Sequence, residues 1–131
     1  MERRIINPWT WQDQFGFVQA NEITGAGRIL FCAGLVSVDA DGNPLHPGDM
    51  VKQIEQVLDN LETLLEQAGM ELANIARLTY YTTDPAKFTE ANPVLRKRLQ
   101  KGGCRPATSL IGVASLARPD WIVEMEATAV A

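Results

Sequence analysis

Near its C-terminal end the chain places two carboxylates two residues apart, Glu124 and Glu126. They lie in a run where Val123, Met125, Ala127 and Ala129 alternate with Glu124, Glu126, Thr128 and Val130. That period belongs to a half-buried strand, so both carboxylates project from one face, away from the apolar side. Close carboxylates raise one another's pKa, which is how a carboxyl group becomes a proton donor or acceptor near neutral pH. A solvated strand face is the other reading of the same spacing.

The remaining reactive side chains are sparse. The single histidine, His46, falls in the turn before a helix, beside Pro47 and Gly48. A general base is conceivable there, but the setting favours a surface turn residue, and one histidine excludes a multi-histidine metal site within the chain. Of the two cysteines, Cys32 sits in an apolar run and reads as core, while Cys104 follows two glycines and is expected nearer the surface. Neither has a histidine near it in sequence to activate it, and the pair suggests neither a disulfide framework nor a zinc site, so both read as reduced. Gly25 and Gly27 precede a strand instead of opening a helix and no lysine and hydroxyl pair follows them, so they read as a hairpin turn and not a phosphate loop. Trp9, Trp11 and Trp121 could line a pocket or pack at strand ends and interfaces.

These residues must be positioned by a small frame. With 131 residues, 46% hydrophobic and 21% charged, the chain reads as one ordinary globular domain spanning 1–131. A net charge of −4 argues against a nucleic-acid partner, which demands clustered Lys and Arg. The densest basic stretch, Arg96, Lys97, Arg98 and Lys101, falls at the end of a predicted helix, where cations complement the dipole and solvate a face. No stretch approaches the roughly 18 apolar residues of a membrane span, and no apolar leader follows Arg3 and Arg4, so a cytoplasmic location is expected.

Residues 47–69 carry Met50, Val51, Ile54, Val57, Leu58, Leu61, Leu64, Leu65 and Ala68 at steps of three and four, between Pro47 and Gly69, which predicts an amphipathic helix. A second helix is predicted from Pro85 to Lys101, capped by Asp84 and halted by Gly102 and Gly103, with Asn92 and Pro93 as a possible kink. Strands are expected over 15–23, 28–38, 75–83, 107–115 and 121–130, the first two paired as a hairpin, with a short strand at Arg4 to Ile6. The fold class is α/β (α+β), with two helices on one face of a mixed sheet. The other face, expected to be apolar, would be covered by other subunits.

The order of elements and four local patterns resemble the Rid/YjgF family, also called the L-PSP or enamine/imine deaminase family. The patterns are Gly16-Phe17-Val18-Gln19, Phe31-Cys32-Ala33-Gly34, the helix segment from Gln53 to Leu61, and Arg105-Pro106-Ala107-Thr108-Ser109 leading to Val123-Glu124-Met125-Glu126-Ala127. The resemblance spans nearly the whole chain. It implies a chorismate-mutase-like fold, a homotrimer with a sheet-lined barrel, and small-molecule clefts between subunits. It also implies hydrolysis of reactive enamines or imines to a keto acid and ammonia without metal or cofactor. The family's water-positioning glutamate matches Glu124, its cleft tyrosine matches Phe17, and its glycine after the strand matches Gly34.

The arginine that binds the substrate carboxylate in archetypal members matches Thr108, whose hydroxyl cannot reproduce a two-pronged guanidinium clamp. Arg105, at an odd offset and across Pro106, is expected to point to the other strand face. Together with Phe17 for tyrosine, this makes the presumed cleft more apolar and implies a changed substrate. The leading expectation is a hydrolase acting on an imine, enamine or related metabolite, with Glu124 as the water-positioning group. The alternative is a trimeric binding protein without turnover, in which Gly34, Thr108 and Ser109 hold a small molecule. A ribonuclease or translation-inhibitor role, an older label of the family, is disfavoured by the acidic charge.

Overall fold

The computed structural model describes residues 1–131, with elements in the order β1 (Glu2–Ile6), β2 (Ala20–Thr24), β3 (Ile29–Phe31), α1 (Met50–Gln67), β4 (Ile75–Thr82), α2 (Pro85–Lys101), β5 (Ala107–Gly112) and β6 (Val123–Val130). Short 3-10 turns cover Trp11–Phe15 and Leu72–Asn74. The main sheet runs β3-β6-β4-β5, with β4 and β5 parallel and the other pairs antiparallel. It is therefore mixed, as expected, and both helices cover one face.

The helices begin and end for local reasons. Asp49 accepts the Lys52 N–H at 3.1 Å and caps α1, and Asp84 accepts the Lys87 N–H at 3.0 Å and caps α2, where Pro85 needs no donor. After α1 the chain turns at Gly69, whose φ of +69° suits a residue without a side chain. The apolar stripe of α1 buries Ile54, Val57, Leu58, Leu61 and Leu65 almost completely against Leu78, Val123, Met125 and Ala127 of the sheet and Phe88, Leu95 and Leu99 of α2. Each such side chain contributes about 1.5–3 kcal/mol through loss of hydrated surface. One polar side chain joins this stripe. Gln53 is fully buried, donates to the carbonyls of His46 (3.0 Å) and Asp120 (2.8 Å), and accepts the Ile122 N–H at 3.1 Å.

Several expectations are corrected. The strands predicted at 15–23 and 28–38 do not pair: β2 pairs with β1 in a separate ribbon, and β3 pairs with β6. Gly25 and Gly27 therefore link two sheets, and the Gly27 N–H bonds the Ala131 carbonyl at 2.9 Å instead of closing a hairpin. The first half of the predicted 15–23 strand is a turn, and the 28–38 strand shortens to three residues with isolated bridges at Leu35 and Val38. Helix α2 continues through Pro93, because its packed face holds it where local preference would not. Cys104 is buried, like Cys32, and not exposed.

The sheet face away from the helices is more polar than expected. It carries Arg77, Thr79, Tyr81, Ser109, Glu124 and Glu126 beside the exposed Phe31 and Ile111. No helix is long and apolar enough to cross a membrane.

Candidate functional site

Glu124 is fixed by its strand and by one irregular neighbour. Leu35 and Met125 exchange backbone hydrogen bonds of 2.7 and 3.0 Å, which brings Gly34 under the Glu124 side chain. A Cβ on Gly34 would stand 2.8 Å from Glu124 Cδ and collide with its Oε1, so the carboxyl occupies the space that a side chain at 34 would fill. Partial burial, and then the negative charge of Glu126, raise the Glu124 pKa from its ordinary value. Glu126 itself accepts a hydrogen bond of 2.7 Å from the Tyr81 hydroxyl, whose pKa is raised chiefly by that bond. On the same face Arg77 donates to Ser109 Oγ at 2.9 Å. The two carboxylates thus have different company: Glu126 is partnered, and Glu124 makes no hydrogen bond within the chain.

Phe17 and Thr108 lie elsewhere. Thr108 pairs with Leu78 of β4, whereas Glu124 pairs with Tyr81, and residues three apart on one strand face opposite sides of the sheet. Thr108 therefore looks toward the helices and Ser109 toward the open face. The Val18 N–H bonds the Pro106 carbonyl at 3.0 Å, setting Phe17 alongside the start of β5. Phe17 and Thr108 then share the wall of a cavity of about 290 Å³ between β4, β5 and α2. Within one chain Gly34 and Glu124 form one group, with Ser109 on the same sheet face but across β4 from it, and Phe17 and Thr108 form another; the two do not converge. Arg105 lines a neighbouring depression beside Phe17 and Cys104, outside the cavity.

Two cavity residues were not anticipated. Arg96, read from sequence as part of a solvated basic face, reaches across Gly16 to donate to the Gln14 carbonyl. Gly16 has φ +79°, and a Cβ there would sit 2.9 Å from Arg96 Cγ, so its lack of a side chain permits both the turn and the crossing. Tyr80, 6% exposed, packs on Phe88 at 5.1 Å between ring centroids and lines the same cavity. A readable signal existed for Tyr80: adjacent tyrosines on a strand must take opposite faces, so one of Tyr80 and Tyr81 was bound to be buried.

Burial pushes the Cys104 thiol up to about 12 and raises that of Cys32, which disfavours thiolate nucleophiles. His46 stays in its turn at φ +56°, with its carbonyl accepting from Gln53. No group of three His, Cys, Asp or Glu side chains is placed to hold a metal ion.

A mixed sheet backed by two helices, with a glutamate over a glycine on one face and an apolar cavity on the other, defines a class of small α/β proteins. The profile described as Endoribonuclease L-PSP matches residues 14–131, and the chain belongs to this family, also known as Rid/YjgF. A solved Rid family protein from Yersinia pestis, YyfB, described as of unknown function, is similar over 100% of both chains, with 37% identity and a TM-score of 0.88. A RutC family protein of Pyrococcus horikoshii is 34% identical over 79% of this chain and 80% of its own length. The 2-iminobutanoate/2-iminopropanoate deaminase of Mus musculus is 33% identical over 79% of this chain and 74% of its own.

Proposed function

We propose that this chain is a metal- and cofactor-free hydrolase of imines or enamines whose site forms between subunits of a homotrimer. In each site the Glu124 and Gly34 group of one subunit faces the Phe17 and Thr108 cavity of the next. The observation that carries the reading is the unpartnered, raised carboxyl of Glu124 over Gly34, in a chain whose mouse relative is named as an imine deaminase. The opposite-facing groups are the reason to place the site between subunits: a single chain cannot join them, and neighbouring copies can.

In this reading Glu124 carboxylate takes a proton from water as the oxygen adds to the C=N carbon. The carboxylic acid so formed returns that proton to nitrogen. Collapse of the tetrahedral adduct moves the hydroxyl proton to nitrogen, breaks the C–N bond and leaves a carbonyl compound and ammonia. A raised pKa makes the carboxylate a stronger base for the first half of this exchange. Ser109 lies on the Glu124 face and Thr108 on the cavity face, so each would act from a different side of the assembled site.

The test is ammonia release from enzymatically generated 2-iminopropionate and from bulkier imino acids, with wild type, Glu124→Gln and Thr108→Arg. The expected result is acceleration by wild type, greatest on bulkier substrates, and a loss of about a hundredfold or more in Glu124→Gln. Unchanged activity of Glu124→Gln on every substrate removes the hydrolase reading. Acceleration by Thr108→Arg alone supports a binding protein without turnover, the reading favoured by threonine at the clamp position.

A further inference from the structure

The open face of the sheet holds a second glutamate that the proposed reaction does not use. Glu126 stands two residues from Glu124 on the same face of β6, and it is exposed where Glu124 is half-buried. A free glutamate side chain samples many rotamers, so a fixed position for its carboxylate needs a cause. The cause is Tyr81. In the register of β4 and β6, Tyr81 lies opposite Glu124, and Thr79 lies opposite Glu126. The Tyr81 hydroxyl passes its direct neighbour and donates to Glu126 Oε1 at 2.7 Å. Diagonal neighbours on paired strands are about 7–8 Å apart, a span that an aromatic side chain can cover. Neither carboxylate has another hydrogen bond within the chain. The remaining groups on the face supply no counter-charge. Arg77 of β4 donates to Ser109 Oγ of β5 and forms no ion pair with either glutamate. Cys32, just beyond β3 and lining the same depression as Glu126, has a thiol pushed up by burial.

From this arrangement we infer that Tyr81 is a positioning residue: it acts through Glu126 and holds the second negative charge of the face in a fixed place beside Glu124. Two like charges on solvated side chains move apart when nothing restrains them, because distance and water both weaken their repulsion. The bond from Tyr81 prevents that separation. It also commits the hydroxyl to Glu126, so the Glu124 oxygens stay open to water. The phenol lies in the field of both carboxylates: its pKa is raised first by the bond to Glu126, then by desolvation and by the charges of Glu126 and Glu124, with Arg77 opposing. The chemical consequence is a stronger base at 124, and that consequence rests on the hydrolase reading above; the positioning itself does not.

The experiment is carbon-detected NMR titration of the Glu124 carboxyl in the assembled, full-length protein, for wild type, Tyr81→Phe, Glu126→Gln and the double variant. Tyr81→Phe keeps the ring and loses one hydrogen bond of a half-buried side chain, so the fold should stand. Its Glu124 pKa should move down, in the direction taken by Glu126→Gln, because the released carboxylate drifts into solvent. In the Glu126→Gln background the same substitution should leave the Glu124 pKa where it is, since Tyr81 then has no charge to hold. A Glu124 pKa in Tyr81→Phe at or above that of wild type, or shifts that add in the double variant, overturns the inference. A second measurement leaves Tyr81 in place. Glu126→Gln should lower the Tyr81 pKa, read as an earlier first step in tyrosinate absorbance on alkaline titration, with Tyr80 ionising later because burial raises it. An unmoved first step also overturns the inference. In ammonia release, Tyr81→Phe should lower kcat by less than about tenfold with KM unchanged, against the far larger loss in Glu124→Gln. Coupled pKa shifts without ammonia release by wild type would remove the hydrolase reading alone. Ammonia release by wild type with an unmoved Glu124 pKa in Tyr81→Phe would remove this inference alone.

Discussion

The Glu124 carboxyl lies over the Cα of Gly34, in space that any other residue at 34 would claim. The colliding atoms belong to the end of a flexible side chain, so an added methyl group should push the carboxyl aside without breaking the fold. Gly34→Ala is expected to lower ammonia release by about ten- to a hundredfold, since small displacements of a reacting group are costly. Its unfolding free energy should stay within about 1 kcal/mol of wild type. Parallel turnover and urea-unfolding measurements check both halves.

The raised pKa of Glu124 has a definite sign in stability. A carboxyl whose folded pKa exceeds its unfolded value contributes stability that is present below the unfolded value and is lost as pH rises through the folded one. Glu124→Gln should therefore gain stability relative to wild type above the carboxylate range, and the difference should shrink on acidification. Unfolding curves across that range test it.

Glu126→Gln removes the second cause of the shift and leaves the first, burial. The Glu124 pKa should move down without reaching its ordinary value, and the acid limb of kcat/KM should move to lower pH with it. Carbon-detected NMR titration of the Glu124 carboxyl follows the shift directly. A pKa that stays in place would mean that the two charges do not interact.

Gln53 joins the turn before α1 to the segment that leads into β6, through His46, Asp120 and Ile122. Gln53→Leu would leave the Asp120 carbonyl and the Ile122 N–H without their side-chain partner, while the His46 carbonyl keeps the Asp49 N–H at 3.2 Å. A loss of at least about 2 kcal/mol is expected in denaturant unfolding. Because Ile122 lies two residues before Glu124, turnover should fall as well.

Phe31 is 78% exposed on the open sheet face, beside Thr128 and Arg77. If that face joins subunits, Phe31→Glu buries a charge in the contact and should shift sedimentation from three copies toward one. Unchanged assembly would place the contact elsewhere.

The sequence alone determined the elements whose signals are local. The steps of three and four through Ile54, Leu58 and Leu65 specify α1, Pro47 and Gly69 bracket it, and the alternation around Glu124 and Glu126 assigns each residue of β6 to a face. The ordered patterns from Gly16 to Ala127 identified the family, because they record positions and not contacts. The partner of β2 and the company of each site residue were decided only in three dimensions. Periodicity says which side of a strand is buried but not what it meets, so β2 could pair with β1 while β3 went to β6. The odd offset that parts Thr108 from Glu124 appears only once β4 aligns both strands. Arg96 looked solvated because its helix is mostly polar, and its turn toward the cavity depends on Gly16, eighty residues away and close only in the folded chain.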